Sequence, residues 1–286
     1  MRHHFNECVD VTPECPVEAT TYGYRPVLSA NILLLVIFGL TTIAQLVLGL
    51  KFRLRAFLAV TTIGCLLEAL GYGGRIIMNS NPWSQPGFKL QIVCIILAPS
   101  FLAAGIYLTL KHVVIEFGPE YSRLKPKLYT WIFCGCDAIS IITQAAGGGL
   151  ASANQANLLN IGNDLIIAGI AFQVATMFCC WVLLVDFAVR VHKAKKDAFR
   201  SMGLGFVFYV CATAVSFLTI FIRCIYRIPE MSGGWGSPMQ RNEVDFLVLD
   251  GAMIASAAIL MSIAHPGIFF PAISSRHQKA LKNSHV

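Results

Sequence analysis

The chain has 286 residues, 56% of them hydrophobic and only 13% charged, with a mean hydropathy of +0.66 and a formal net charge of +7. A soluble domain carries about a quarter charged residues, so this composition excludes an ordinary water-soluble globule and a disordered or nucleic-acid-binding tail protein. Membrane spans would use most of the length and leave no room for a separate catalytic domain.

A helix needs roughly 20 largely apolar residues to cross a hydrocarbon core about 30 Å thick. A polar, acidic leader, residues 1–28, precedes the first apolar run, which is too long for a cleavable signal core. The leader holds Cys8 and Cys15, which can pair if they face an oxidising compartment. Windows nearly free of Asp, Glu, Lys and Arg then predict seven helices, near 29–50, 56–78, 90–115, 128–150, 164–191, 203–226 and 245–267. The second window contains only Glu68 and Arg75, and the fourth only Asp137. These runs are apolar on every face, unlike the alternating segments of a β-barrel. The expected fold is all-α: a seven-helix membrane domain over 29–267, followed by a tail at 268–286.

Basic residues set the expected orientation. With the N-terminus outside, the inner segments carry Lys51, Arg53, Arg55, Lys111, Arg123, Lys125, Lys127, Arg190, Lys193, Lys195, Lys196, Arg200, Arg276, Lys279 and Lys282. The outer segments hold only Arg2, Arg25, Lys89, Arg227 and Arg241. The tail is therefore expected in the cytoplasm, and the positive charge reflects topology and contact with anionic lipid.

Several chemistries lack their signatures. The sequence has no Gly-Lys dipeptide for a phosphate loop, and no G-x-G-x-x-G, G-x-S-x-G, H-E-x-x-H or C-x-x-C. No cofactor, metal site or enzyme activity is expected. A lipid hydrolase would need a set of metal-binding histidines, and none is visible. The last helix has no lysine for a retinal Schiff base, and no Asp-Arg-Tyr ends the third, which sets aside rhodopsin-like and receptor-like readings.

Charged groups inside a bilayer are costly and usually face a bundle interior or a wet cavity. Glu68 and Arg75 are seven residues apart and share a helix face, as do Asp137 and Gln144. Helix six ends with Arg223, Arg227 and Glu230, and helix seven begins with Glu243, Asp245 and Asp250. The expectation is a polar pocket that opens toward the outer leaflet and is lined by helices two, four, six and seven. Glu68–Arg75 and Arg223–Asp250 are also candidates for purely structural ion pairs. Gly71, Gly73, Gly74, Gly105 and Gly147–Gly149 read as close-packing surfaces, and Pro99 is expected to kink helix three.

The polar positions form a pattern. The run Leu67-Glu68-Ala69-Leu70-Gly71-Tyr72-Gly73-Gly74-Arg75 resembles the L-E-x-x-G-Y-x-x-R stretch of the fungal lipid-translocating exporter family. The resemblance continues through Leu97-Ala98-Pro99, Ala103-Ala104-Gly105-Ile106-Tyr107, Ser122-Arg123-Leu124-Lys125-Pro126 and Cys136-Asp137. It extends to Gln144-Ala145-Ala146-Gly147-Gly148-Gly149, Arg223, Tyr226-Arg227, Glu230, Glu243, Asp250-Gly251 and His265-Pro266-Gly267. It covers residues 24–268 in order. Family likeness implies seven spans, a plasma-membrane location and transport of amphiphiles such as sphingoid bases or sterol-like compounds, with tolerance to toxic amphiphiles.

The substrate-binding or proton-coupling candidates are Glu68, Arg75, Asp137, Gln144, Arg223, Arg227, Glu230, Glu243 and Asp250. A cationic head group would match Glu68, Asp137 or Asp250. With no nucleotide site, export would need a gradient or a separate ATPase, and Glu68 and Asp137 are the proton-carrier candidates. The expected partners are an amphiphilic lipid and membrane lipids, with a homo-oligomer admitted and no nucleic acid. The alternative function is a seven-helix lipid sensor that acts through a cytoplasmic or membrane partner.

Overall fold

The computed structural model describes residues 8–151, 156–194, 204–234 and 236–269. These hold seven long helices and, among the described residues, no strand: α1 (Leu28–Phe52), α2 (Arg55–Ser80), α3 (Gln85–Phe117), α4 (Pro126–Ala151), α5 (Ala156–Ala194), α6 (Leu204–Ser232) and α7 (Glu243–Phe269). Six are long and apolar enough to cross a membrane. The exception is α4, which has 26 residues but carries Asp137, Gln144 and four glycines among its apolar side chains. Lys195, Lys196 and Arg200, and the tail with Arg276, Lys279 and Lys282, lie outside the described residues, as does Arg2.

The bundle is packed around α3. Helix α2 lies against α1 and α3, α4 against α5, and α6 against α7, while α1 closes on α7. The outward faces are apolar: Leu33, Leu40, Val47 and Leu50 of α1 and Ile139 and Ile142 of α4 are all exposed. A soluble monomer does not leave so large a continuous apolar surface open to water. Trp131, also exposed, sits near the start of α4, where an amphipathic ring suits a membrane interface.

Glycine sets two of the closest contacts. A Cβ on Gly74 would lie 2.8 Å from the Gly87 carbonyl of α3, and one on Gly147 would lie 2.6 Å from the Gly162 carbonyl of α5. Gly148 and Gly149 would meet nothing within 4 Å. Of the three consecutive glycines, then, one packs a helix pair and two face open space.

Two helices depart from the sequence expectation. Helix α6 continues through Pro229 to Ser232, so Arg227, counted with the outer segments, lies within it together with Glu230. Helix α7 contains a π-helical turn, Phe246–Ala252, between α-helical segments, and it breaks at Ala264 and His265 before Pro266–Phe269. His265 is buried between the rings of Phe52 and Phe57, and its Nδ1 accepts from the Gly267 N–H. The His265-Pro266-Gly267 run thus terminates and anchors α7.

The leader folds back over one end of the bundle. Cys8 and Cys15 are disulfide-bonded, with Cα atoms 5.9 Å apart. The Trp83 indole donates to the Cys15 carbonyl at 3.2 Å, and the side chains of Asn79 and Asn81 donate to the carbonyls of Pro26 and Val9.

The glycine geometry yields a contrast. Gly147→Val should destabilise the purified protein by about 2 kcal/mol or more through overpacking against backbone. Gly148→Val should change stability by less than about 0.5 kcal/mol. Thermal unfolding monitored by size-exclusion chromatography in detergent measures both.

Candidate functional site

Two breaks in regular helix geometry shape the site. Pro99 has no N–H, so the carbonyl of Ile95, four residues earlier, loses its helical donor. The guanidinium of Arg223, reaching across from α6, donates to that carbonyl. On α7 the π turn carries Asp250, whose Oδ1 lies 2.6 Å from Arg223 Nε. Single π turns of this kind recur at functional positions.

Seven of the nine sequence candidates come together here. Arg75 of α2 lies 2.8 Å from the Glu243 carboxylate of α7 and donates to Asn31 Oδ1 of α1 at 2.8 Å. Its guanidinium also sits 4.2 Å from the centre of the Phe246 ring, a cation–π contact. Arg227 pairs with Glu230 one turn along α6. Glu68, Arg75 and Asp250 are fully buried, and Arg223, Arg227 and Glu230 nearly so.

Glu68 does not pair with Arg75. Residues seven apart share a helix face but are separated by about 10 Å along the axis, and Arg75 is taken by Glu243 at the end of α7. The second structural pair considered, Arg223–Asp250, is present.

The charge count is uneven. Three arginines, Arg75, Arg223 and Arg227, each meet one carboxylate, from Glu243, Asp250 and Glu230. The fourth carboxylate, Glu68, has Asp250, Arg223 and Arg227 as neighbouring charges, and neither of its oxygens has a hydrogen-bond partner. A carboxyl group so placed needs a proton on it or a cation beside it.

Asp137 and Gln144 do not join this cluster. Gln144 of α4 donates to Ser140 Oγ at 2.9 Å and to Gln173 Oε1 of α5 at 3.2 Å, and Gln173 donates in turn to Ser100 Oγ of α3 at 2.9 Å. Asp137 is buried against the Tyr107 hydroxyl of α3, and among the described residues no arginine or lysine pairs with it. Helix α4 turns Ser140 and Gln144 to α5 and Asp137 to Tyr107 of α3, away from the arginines of α2 and α6.

The cluster does not open outward as a pocket. Tyr22 and Tyr24 of the leader flank the Arg75 guanidinium, with ring centres 5.8 and 5.9 Å away. The Tyr22 hydroxyl accepts from Gln91 Nε2 at 2.9 Å, Tyr24 accepts from Arg75 at 3.2 Å, and the Val27 N–H donates to Glu243. Burial pushes the Tyr22 phenol above its ordinary value, which keeps it a neutral hydroxyl. A span-by-span scan of charges gives no sign that the leader covers them. It also missed Tyr22, Tyr24, Asn31 and Gln91. The Ile95 carbonyl had a visible signal, because Pro99 lies four residues later.

Among the described residues, no group of three or more His, Cys, Asp or Glu side chains is arranged to hold a metal.

Seven long helices with apolar outward faces and a buried ionic cluster define a multi-pass membrane protein. Residues 61–273 match the family model described as RTA1 like protein, and the chain belongs to that fungal family. It is 31% identical over 282 residues to the sphingoid long-chain base transporter RSB1 of Saccharomyces cerevisiae, covering 87% of this chain and 74% of the relative. It is also 29% identical to protoporphyrin uptake protein 1 of Saccharomyces cerevisiae, covering 72% and 67% of the two chains. With protein RTM1 of Saccharomyces cerevisiae the identity is 27%, covering 72% and 65%. No solved structure matches. The first likeness supports lipid transport in general.

Removing one member of a buried ion pair costs about 3–5 kcal/mol, so Asp250→Asn, which strands Arg223, should be strongly destabilising. Glu68→Gln removes a carboxylate that has no partner and should shift stability by no more than about 1 kcal/mol. Denaturant or thermal unfolding in detergent separates the two.

Proposed function

We propose that this protein is a seven-span exporter of amphiphilic lipids with cationic amino head groups, sphingoid bases foremost, and that Glu68 couples their movement to protons. The N-terminus lies outside and the 268–286 tail in the cytoplasm, as the basic residues favour. The plasma membrane is the proposed location, and tolerance to toxic amphiphiles the proposed consequence.

The observation that carries this reading is the odd carboxylate. Three arginines against four acids leave Glu68 buried, near mid-helix, with no hydrogen-bond partner. A proton neutralises it in one state, and loss of that proton leaves a carboxylate beside Arg223 and Arg227 in another. The surrounding pairs hold the groups around Glu68 at fixed positions, so the exchange takes place in a rigid frame. The likeness to a sphingoid long-chain base transporter supports the choice of an amine over an anionic lipid.

Liposomes containing the purified chain and a fluorescent sphingoid base test this. Movement of the base should depend on an imposed pH gradient, and Glu68→Gln should lose the gradient-dependent part while the protein stays folded. Transport unchanged in Glu68→Gln would remove the coupling role. Binding without movement would favour the sensor.

A further inference from the structure

A cavity of about 270 Å³ lies apart from the ionic cluster, in the half of the bundle away from the leader. It is a slot with α5 and α6 as walls and α3 as floor, lined by Leu184 and Ala188, by Val210 and Ala214, and by Leu110 and Val113. The only hydroxyl in the lining, that of Thr213, donates to the Tyr209 carbonyl of its own helix. The lining therefore offers a ligand almost no polar contact.

The slot follows α5 from Trp181 to Val191 and α6 from Phe206 to Phe217. At 1.5 Å per residue this is about 15 Å, half the depth of a hydrocarbon core of about 30 Å. Val185 and Cys211 on its lining are exposed, so it opens sideways through the apolar surface of the bundle. Its volume falls below the roughly 300–1,000 Å³ of pockets for drug-sized molecules, which suits one alkyl chain and not two.

At mid-depth the slot ends on aromatic rings. Trp181 stacks on Phe217 with centroids 5.9 Å apart, and Phe217 meets the edge of Tyr107 at 6.5 Å. Beside Tyr107 lies Asp137, 3% exposed, with the Tyr107 hydroxyl as its polar neighbour and no ion-pair partner among the described residues. An apolar slot one chain wide thus ends one aromatic layer from a buried carboxylate that has no counter-charge.

We infer that the α5–α6 slot and Asp137 together form the binding site for a single-chain amino amphiphile in mid-transit, with the hydrocarbon tail in the slot and the ammonium at Asp137 and Tyr107. This rests on the transport reading for the choice of an amine. The ammonium brings three donors and a counter-charge to a carboxyl group that has only the Tyr107 hydroxyl beside it, once the Trp181–Phe217 pair swings aside. At Glu68 an amine would face Arg223 and Arg227, whereas the polar and titratable groups around Asp137 are Tyr107, Cys134, Cys180 and Cys224. The head group therefore belongs at Asp137, and Glu68 is left to the proton. With the head at mid-depth and the tail trailing away from the leader, the amphiphile is oriented for movement toward the leader side.

The test uses the full chain in phosphatidylcholine liposomes with a long-chain amine that carries a diazirine in its tail, and with the neutral N-acetyl analogue. Light should attach the amine to peptides containing Trp181–Val191 and Phe206–Phe217. Ala188→Trp and Ala214→Trp, which fill the slot from opposite walls, should each abolish that labelling. Asp137→Asn should weaken labelling by the amine about tenfold and leave that by the neutral analogue unchanged. Labelling that is spread over other helices, or that survives both tryptophan variants in folded protein, would overturn the site. Amine transport with labelling elsewhere would sink the site and leave the transport reading intact. Slot labelling without transport by the unmodified chain would do the reverse.

Discussion

Three buried arginines are the constraint on which the rest of this bundle depends. A guanidinium cannot give up its charge, so one placed among apolar helices must find a carboxylate and further acceptors there. Arg75 draws Glu243, Asn31 and Tyr24 to itself, which ties together α2, α7, α1 and the leader. Arg223 takes Asp250 and the carbonyl freed by Pro99, which ties α6 to α7 and α3. Arg227 closes on Glu230 within α6. The irregular features sit where these contacts need them: the π turn carries Asp250, and the proline lies four residues beyond the Ile95 carbonyl.

This frame explains why two carboxylates stand out. Once each arginine has its partner, Glu68 remains within the cluster and Asp137 outside it, both buried and, among the described residues, without an ion-pair partner. Structural pairs have little reason to change during a transport cycle. An unpaired carboxyl group has two inexpensive states, protonated or facing a cation, and a carrier for amines needs such a group. The leader, tied by its Cys8–Cys15 bond and seated through Tyr22 and Tyr24, separates the ionic cluster from the aqueous side in this conformation.

Close helix contacts decide which groups can meet. Gly74 lets α2 settle on the backbone of α3, and Gly147 does the same for α4 on α5. The second contact turns Gln144 and Ser140 toward Gln173 and Gly169, which draws the polar face of α4 away from the arginines. From sequence, the helix faces carrying Glu68–Arg75 and Asp137–Gln144 are expected to line one pocket. In the bundle they belong to different neighbourhoods.

The sequence by itself determined the seven long helices, the charged groups that fall within them and the residues that carry the family likeness. Each of these depends on properties local to the chain: the length of an apolar run, the position of a charge within it, and the order of motifs. Tertiary structure alone decided that Arg75 pairs with Glu243 rather than Glu68, that the leader closes over the cluster, and that a slot lies between α5 and α6. Those outcomes depend on which helix faces come into contact, and the rotation of each helix is set by packing against neighbours distant in sequence.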